Sequence, residues 1–334
     1  MTMRLPVAAD ILDARARLAG VAIRTPLLRS EQLDAVSGGK VFVKCENLQR
    51  SGAFKFRGAY NCISRLDPAT FPGGVVAYST GNHGQAVAGV SRMLGLESTI
   101  VMPCDAPMVK IARARTAGAR VVLYDRYTER REDIAARIAA ENAVALVPPG
   151  DDRFVIAGQG TAVAEALEDL AAAGIAVDVA MVPCGGGGLA AGTCLAVEAL
   201  GSRAEIWAVE PAGFEDTRRS LASGTRECNA QIAGSICDAL LAPTPAELPF
   251  AINRDRLAAV AVAHDGEVLD AMRFAYEEFR IVVEPGGAVA LAALLARPGL
   301  LQGRTAIVVA SGGNVDPAIF MQALQRSPVD RAAG

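Results

Sequence analysis

Lys55 stands in Ser51-Gly52-Ala53-Phe54-Lys55-Phe56-Arg57-Gly58-Ala59, between two aromatic residues. Four consecutive glycines, Gly185, Gly186, Gly187 and Gly188, occur later, between an apolar run and a helical pattern. A lysine with apolar neighbours can be desolvated, which disfavours its ammonium form and leaves an amine able to attack a carbonyl. A glycine run lets backbone N–H groups come close to an anion, and a helix starting just after it adds the positive end of its dipole. An aldehyde for the lysine and a phosphate for the glycines describe one kind of guest, a phosphorylated aldehyde cofactor.

The elements that must hold these segments follow a simple grammar. Short apolar runs alternate with helical patterns, the mark of an α/β protein built on open, mostly parallel twisted sheets. Residues 75–79 read as a strand, and the next segment places Ala86, Val87, Val90 and Leu94 on one helical face before Gly95 closes it. The same reading predicts strands over 98–102, 119–124, 177–182, 205–209 and 305–310, and helices over 108–117 and 129–142. Phe56, Ala59, Tyr60 and Ile63 form an apolar stripe just after Lys55 and belong to the core. Pro148-Pro149-Gly150-Asp151-Asp152 interrupts both periodicities and marks a crossing between subdomains. Ligands of such sheets sit beyond the carboxyl ends of strands. Three loops are placed there: Ser79-Thr80-Gly81-Asn82-His83, Cys184 with the glycine run, and Ser311-Gly312-Gly313-Asn314.

The 334 residues are 51% apolar, enough for a substantial core in one large domain or two smaller ones. A net charge of -3 without a long Lys/Arg run argues against a nucleic-acid or anionic-membrane partner and leaves a small molecule as the expected ligand. The seven cysteines contain no C-x-x-C pair, so neither a disulfide framework nor a zinc site is expected. They read as small buried hydrophobes in a reducing cytoplasm. Neither a signal-like basic and apolar N-terminus nor a bilayer-length apolar stretch is present, so secretion and membrane insertion are not expected.

The lysine segment, Ser79-Thr80-Gly81-Asn82-His83-Gly84-Gln85, the glycine run, Glu284-Pro285-Gly286-Gly287 and Ser311-Gly312-Gly313-Asn314 occur together in this order, with Ile156-Ala157-Gly158-Gln159-Gly160-Thr161 between them. In this the chain resembles the fold-type-II pyridoxal-phosphate enzymes, and within them the threonine/serine dehydratases and serine racemases, without a regulatory domain. The resemblance implies two α/β domains, a large cofactor-binding one of residues 1–64 with 153–334 and a small mobile substrate-closing one of residues 65–152. It implies that Lys55 carries the Schiff base, Phe54 packs on the cofactor ring, Asn82 bonds its phenolic oxygen, the four glycines hold its phosphate, and Ser311 faces its pyridine nitrogen. A neutral hydroxyl there stabilises a substrate carbanion less than a carboxylate would, which suits loss of a β-leaving group better than transamination. The expected reaction is deamination of a β-hydroxy-α-amino acid, L-threonine or L-serine first and 3-hydroxyaspartate next. Lys55 would be the general base, and Ser79, Thr80, Gly81, Asn82 and His83 would bind the substrate carboxylate, with Arg131 reinforcing them. Thr80 stands where racemases of the family have a serine, so its stiffer hydroxyl is a poorer second acid/base. Asp238-Ala239 replaces an Asp-Gly pair. A homodimer is expected on the same grounds.

The resemblance also implies a divalent-cation site at Glu210, the carbonyl of Phe214 and Asp216, whose oxygen ligands suit Mg²⁺ or Ca²⁺. Taken alone, those carboxylates would be solvated groups of an exposed turn. His83 alone would be a structural hydrogen-bonder, and His264 and Trp207 carry no expected role. One rival reading uses the same glycines. Gly185-x-Gly187-x-x-Ala190, with Glu210 at the end of the next strand, matches a loose dinucleotide fingerprint and would make the protein an NAD-dependent dehydrogenase. That reading leaves the Lys55 segment, Asn82 and Ser311 without a purpose.

Overall fold

A computed structural model of the chain describes residues 4–79, 81–106 and 108–326. Its ten strands are β1 (Leu27–Leu28), β2 (Lys40–Cys45), β3 (Val75–Tyr78), β4 (Ser98–Pro103), β5 (Arg120–Tyr124), β6 (Ala145–Leu146), β7 (Val179–Pro183), β8 (Glu205–Pro211), β9 (Leu257–Ala263) and β10 (Thr305–Ala310). They form a six-stranded sheet in the order β1-β2-β10-β7-β8-β9 and a four-stranded sheet in the order β5-β4-β3-β6. Every neighbouring pair is parallel except β1 with β2. The whole smaller sheet is contiguous in sequence. The chain leaves it through Pro148 to Asp152 and enters the long Arg153–Ala172 helix, whose N-cap Asp152 accepts the N–H groups of Phe154 at 2.8 Å and Val155 at 2.9 Å.

Parallel strands covered by helices on both faces are apolar on both faces, and β10 shows how. Ala306, Val308 and Ala310 pack on one side with Val41, Val43, Met181 and the Pro285–Leu295 helix. Ile307 and Val309 point the other way, into the Arg153–Ala172 and Gly188–Ala199 helices. Those two helices meet backbone to backbone: a Cβ on Gly192 would stand 2.6 Å from the Gly160 nitrogen. The smaller sheet has its own core of Val75, Ala77, Val87, Val90, Ile100 and Met102. Among the described residues no helix is long and apolar enough to cross a membrane.

The predicted strands over 98–102, 205–209 and 305–310 coincide with β4, β8 and β10 to within two residues at either end. The strands β1, β2, β6 and β9 had no sequence-level counterpart. Cys45, Cys62, Cys184, Cys194 and Cys237 are buried as expected, but Cys104 and Cys228 are exposed, a correction to the reading of every cysteine as core. Both lie in loops, where burial does not follow from residue type.

A buried ionic cluster joins the Lys55–Ile63 helix to the larger sheet. Arg57 is fully buried and forks onto two carboxylates, with Nε and Nη2 on Glu46 and Nη1 and Nη2 on Glu165, each at 2.8 Å. Lys44, also fully buried, donates to Glu165 at 3.0 Å and to the Thr25 carbonyl at 2.8 Å. Two cations thus meet two anions with their hydrogen bonds made. Removing one member leaves an uncompensated buried charge. Arg57→Met is expected to destabilise the protein by ~3–5 kcal/mol, read as a lowered urea midpoint.

Candidate active site

The lysine segment is tied directly to the Ser311 loop. Phe54 N–H donates to the Ser311 carbonyl at 3.0 Å, Ala53 bridges Gly312, and the Gly313 N–H reaches the Gly52 carbonyl at 2.9 Å. This brings the start of the Lys55–Ile63 helix to the carboxyl end of β10. The Gly188–Ala199 helix begins at the carboxyl end of β7, and the Asn82–Met93 helix at that of β3. Three strand ends from two sheets therefore face one cavity of about 520 Å³.

Phe54, Lys55, Ser79, Gly81, Asn82, His83, Gly185, Gly186, Gly187, Gly188, Ser311 and Arg131 all line this cavity. Thr80 lies outside the described residues. Glu210, Phe214 and Asp216 are not in the wall; they sit behind the glycine run, where Cys184 Sγ lies 3.4 Å from Thr217 Oγ1.

The Lys55 ammonium stands 4.9 Å from the centre of the Phe54 ring and donates to the Pro149 carbonyl at 2.5 Å. It keeps some exposure because it faces the cavity, yet protein surrounds it and, among the described residues, no carboxylate pairs with it. Desolvation lowers its pKa to about 8. His83 Nε2 lies 2.8 Å from the Val147 carbonyl, so that nitrogen carries the hydrogen and Nδ1, buried and without a partner, is the bare acceptor. Burial, with Lys55 nearby, lowers its pKa to about 3 and keeps the ring neutral. It orders the loop. Asn82 donates to Glu284 and accepts from Asn314 at 2.8 Å.

Gly187 has φ +89°, the left-handed region, as N-cap of the Gly188–Ala199 helix. A Cβ there would also stand 2.8 Å from Asn253 Nδ2, so the bare backbone is required twice over. The result is a cup of main-chain N–H groups at a helix start.

Arg131 stacks 5.5 Å from the Tyr78 ring centre and pairs with Glu132 at 2.9 Å. Behind the glycine run, Glu210 accepts the N–H groups of Thr217 at 2.8 Å and Arg218 at 3.0 Å, capping the Asp216–Ser223 helix. Asp216 Oδ1 accepts from Asn229 at 2.7 Å, while Oδ2 is buried without a partner. Both carboxylates are fully buried, which corrects the picture of a solvated turn. Burial raises the pKa of Glu210 to about 7 and that of Asp216 to about 6. Glu210 is thus occupied as a helix cap, not presented to a ribose.

A family model described as pyridoxal-phosphate-dependent enzyme matches residues 18–312. The chain belongs to the pyridoxal-phosphate-dependent enzymes. This pyridoxal-phosphate enzyme is 41% identical over 314 residues to an L-threo-3-hydroxyaspartate ammonia-lyase from Pseudomonas sp, covering 94% of this chain and 97% of that one. It is 36% identical to an L-threonine ammonia-lyase from Thermotoga maritima, over 92% of this chain and 75% of that one. Its fold matches a maize serine racemase with a TM-score of 0.88 at 35% identity, covering 96% of this chain and 97% of that structure. The fold is that of the fold-type-II group, and the dehydrogenase reading is set aside.

The cavity fits the cofactor this family uses. It has a desolvated amine without an ionic partner among the described residues, a helix-start cup that a Cβ would obstruct, and a phenyl ring beside the amine. Several of its features were not anticipated from sequence. Glu284 stands out in the sequence only within its Glu-Pro-Gly-Gly motif, and neither the places of Tyr78 and Arg226 in the wall nor the Arg57 cluster has a counterpart in the sequence reading. A charged residue two positions after Lys55 in an apolar helix was the available signal.

Two pH dependences follow. In cofactor-free protein, competitive acylation of Lys55 should titrate with a midpoint near 8, against the 10.5 of an ordinary lysine. For His83 the folded value lies below the ordinary 6.5, so the unfolded chain binds the extra proton first. Its contribution to stability is complete above about pH 6.5 and is lost as the pH falls toward about 3. His83→Gln should flatten that acid limb in urea titrations at a series of pH values.

Proposed function

We propose that the protein is an ammonia-lyase that converts a β-hydroxy-α-amino acid to a 2-oxo acid and ammonia, the water lost on elimination being taken back on hydrolysis, with 3-hydroxyaspartate the leading substrate and threonine and serine next. The observation that carries this reading is a desolvated lysine amine facing a cavity whose lining also includes Arg130, Arg131 and Arg226, the last without an ion-pair partner among the described residues. A β-methyl or β-hydrogen needs no cation, whereas a second carboxylate does. The 41% identical ammonia-lyase acts, by its name, on such a dicarboxylate. Threonine stays in view because a named threonine ammonia-lyase is also similar over most of its length.

Lys55 and the glycine cup would hold pyridoxal phosphate by its aldehyde and phosphate ends, with Phe54 against the ring, Asn82 at its phenolic oxygen and Ser311 at its ring nitrogen. When bound, the cofactor supplies an electron sink for negative charge at the substrate Cα. The N–H groups at the start of the Asn82–Met93 helix, with the Ser79 hydroxyl, receive the substrate carboxylate. Lys55, with a pKa of about 8, is poised near neutral pH to take the Cα proton as general base. Ser311 offers a neutral hydroxyl, so charge at Cα is discharged by expelling the β-hydroxyl. His83 is neutral, positions the loop and exchanges no proton.

A divalent cation would suit Glu210, Asp216 and the Phe214 carbonyl. The unpartnered Asp216 Oδ2 beside a second buried carboxylate is the supporting observation. Among the described residues no group of three or more His, Cys, Asp or Glu side chains could hold a metal, so waters would complete the shell.

Oxo-acid and ammonia release should be measured with threonine, serine and both 3-hydroxyaspartate diastereomers. Lys55→Ala is expected to lower kcat by at least ~10³-fold, the combined loss of a covalent anchor and a general base; full activity in that variant would refute the assignment. Chelator should lower the thermal midpoint of the wild type, and Glu210→Ala with Asp216→Ala should remove that sensitivity.

A further inference from the structure

Arg226 and Arg131 line the same cavity in different electrical states. Arg131 is paired with Glu132 and stacked on Tyr78, so its charge is already compensated. Arg226 is held only through Nε, which donates to the Pro245 carbonyl at 2.7 Å, and neither Nη has a hydrogen-bond or ion-pair partner among the described residues. The carboxylates of the wall are not available to it. Asp151 accepts the Leu248 N–H at 2.8 Å, Glu284 accepts from Asn82, and Asp238 is also engaged.

The backbone that follows Arg226 is braced. Glu227 N–H donates to Ser220 Oγ at 2.8 Å, the Cys228 carbonyl accepts from Arg219 at 3.2 Å, and Asn229 N–H reaches the Pro243 carbonyl at 2.7 Å. Ala246, next to the residue that anchors Nε, donates its N–H to the Gly186 carbonyl at 3.1 Å. The guanidinium is therefore registered against the glycine cup through a short chain of bonds. A planar pair of N–H donors without partners among the described residues, on an exposed residue that lines the cavity, matches the two oxygens of a carboxylate.

We propose that Arg226 is the specificity-determining residue that receives the second carboxylate of a dicarboxylic β-hydroxy-α-amino acid through its two Nη groups. This rests on the ammonia-lyase reading above and deepens it. A substrate with a methyl or hydrogen in place of that carboxylate gains nothing from Arg226.

The test compares wild type, Arg226→Ala and Arg226→Lys, each loaded with cofactor, on L-threo-3-hydroxyaspartate and L-serine. The ratio of kcat/KM for hydroxyaspartate over serine should fall about tenfold or more in Arg226→Ala, mostly through KM, as expected for one forked charge-assisted contact at a half-open site. Arg226→Lys should recover part of it, and added salt should narrow the difference. An unchanged ratio, or equal losses on both substrates, would overturn the proposal. A second readout separates it from the lyase reading. Succinate should raise the thermal midpoint of the wild type more than propionate does, and Arg226→Ala should abolish the excess. Wild type that turns over neither amino acid while keeping that excess would refute the lyase reading alone; no excess in the wild type would overturn the role of Arg226.

Discussion

The guanidinium of Arg57 between Glu46 and Glu165 is the contact on which the site's geometry rests. Burying three charged groups and most of a fourth, Glu165, is unfavourable unless they are paired, and here the two forks and the Lys44 ammonium pair them. Such a cluster tolerates one arrangement and few others. Arg57 lies on the first turn of the helix that Lys55 opens, so fixing the one places the other. The neighbouring main-chain bonds between residues 52–54 and 311–313 then carry that registration to the end of β10.

The cavity wall combines two electrostatic conditions. At its base the lysine and the histidine are both depressed by desolvation, which keeps the histidine neutral and makes the lysine easier to deprotonate than an ordinary one. At other points charged side chains hold one another in pairs, as Arg131 and Glu132 do. A low-dielectric floor with a polar rim keeps chemistry and recognition apart. The first depends on removing water and the second on fixed charge.

Much of this was legible in the chain itself, and the exceptions have physical reasons. Lys55 between aromatics, the glycine run before a helix and the Ser311 loop each carry a local signal, because unusual backbone or unusual neighbours are needed at those positions. The strands β7 and β10 announce themselves as continuous apolar runs, since both of their faces are covered. β1 and β6 are two residues long, too short for any periodicity, and β2 carries lysines at residues 40 and 44 that break its apolar pattern. Lys44 shows why that pattern misled: it is buried because Glu165, 121 residues away, is there to meet it. The same holds for Glu210, whose burial is set by the helix it caps, and in reverse for Cys104 and Cys228, which loops leave in solvent. Long-range partners decide these cases, and no local window contains them.

The carbonyl oxygen of Pro149 accepts two hydrogen bonds, from Lys55 Nζ and from Gln159 Nε2 at 3.1 Å. Pro149 sits on the stretch by which the chain returns from the smaller sheet to the larger one. The amide of Gln159 is that oxygen's second tether beside the lysine. One carbonyl oxygen thus ties the reactive lysine to the stretch that joins the two sheets, so the amine and that crossing share a fixed point.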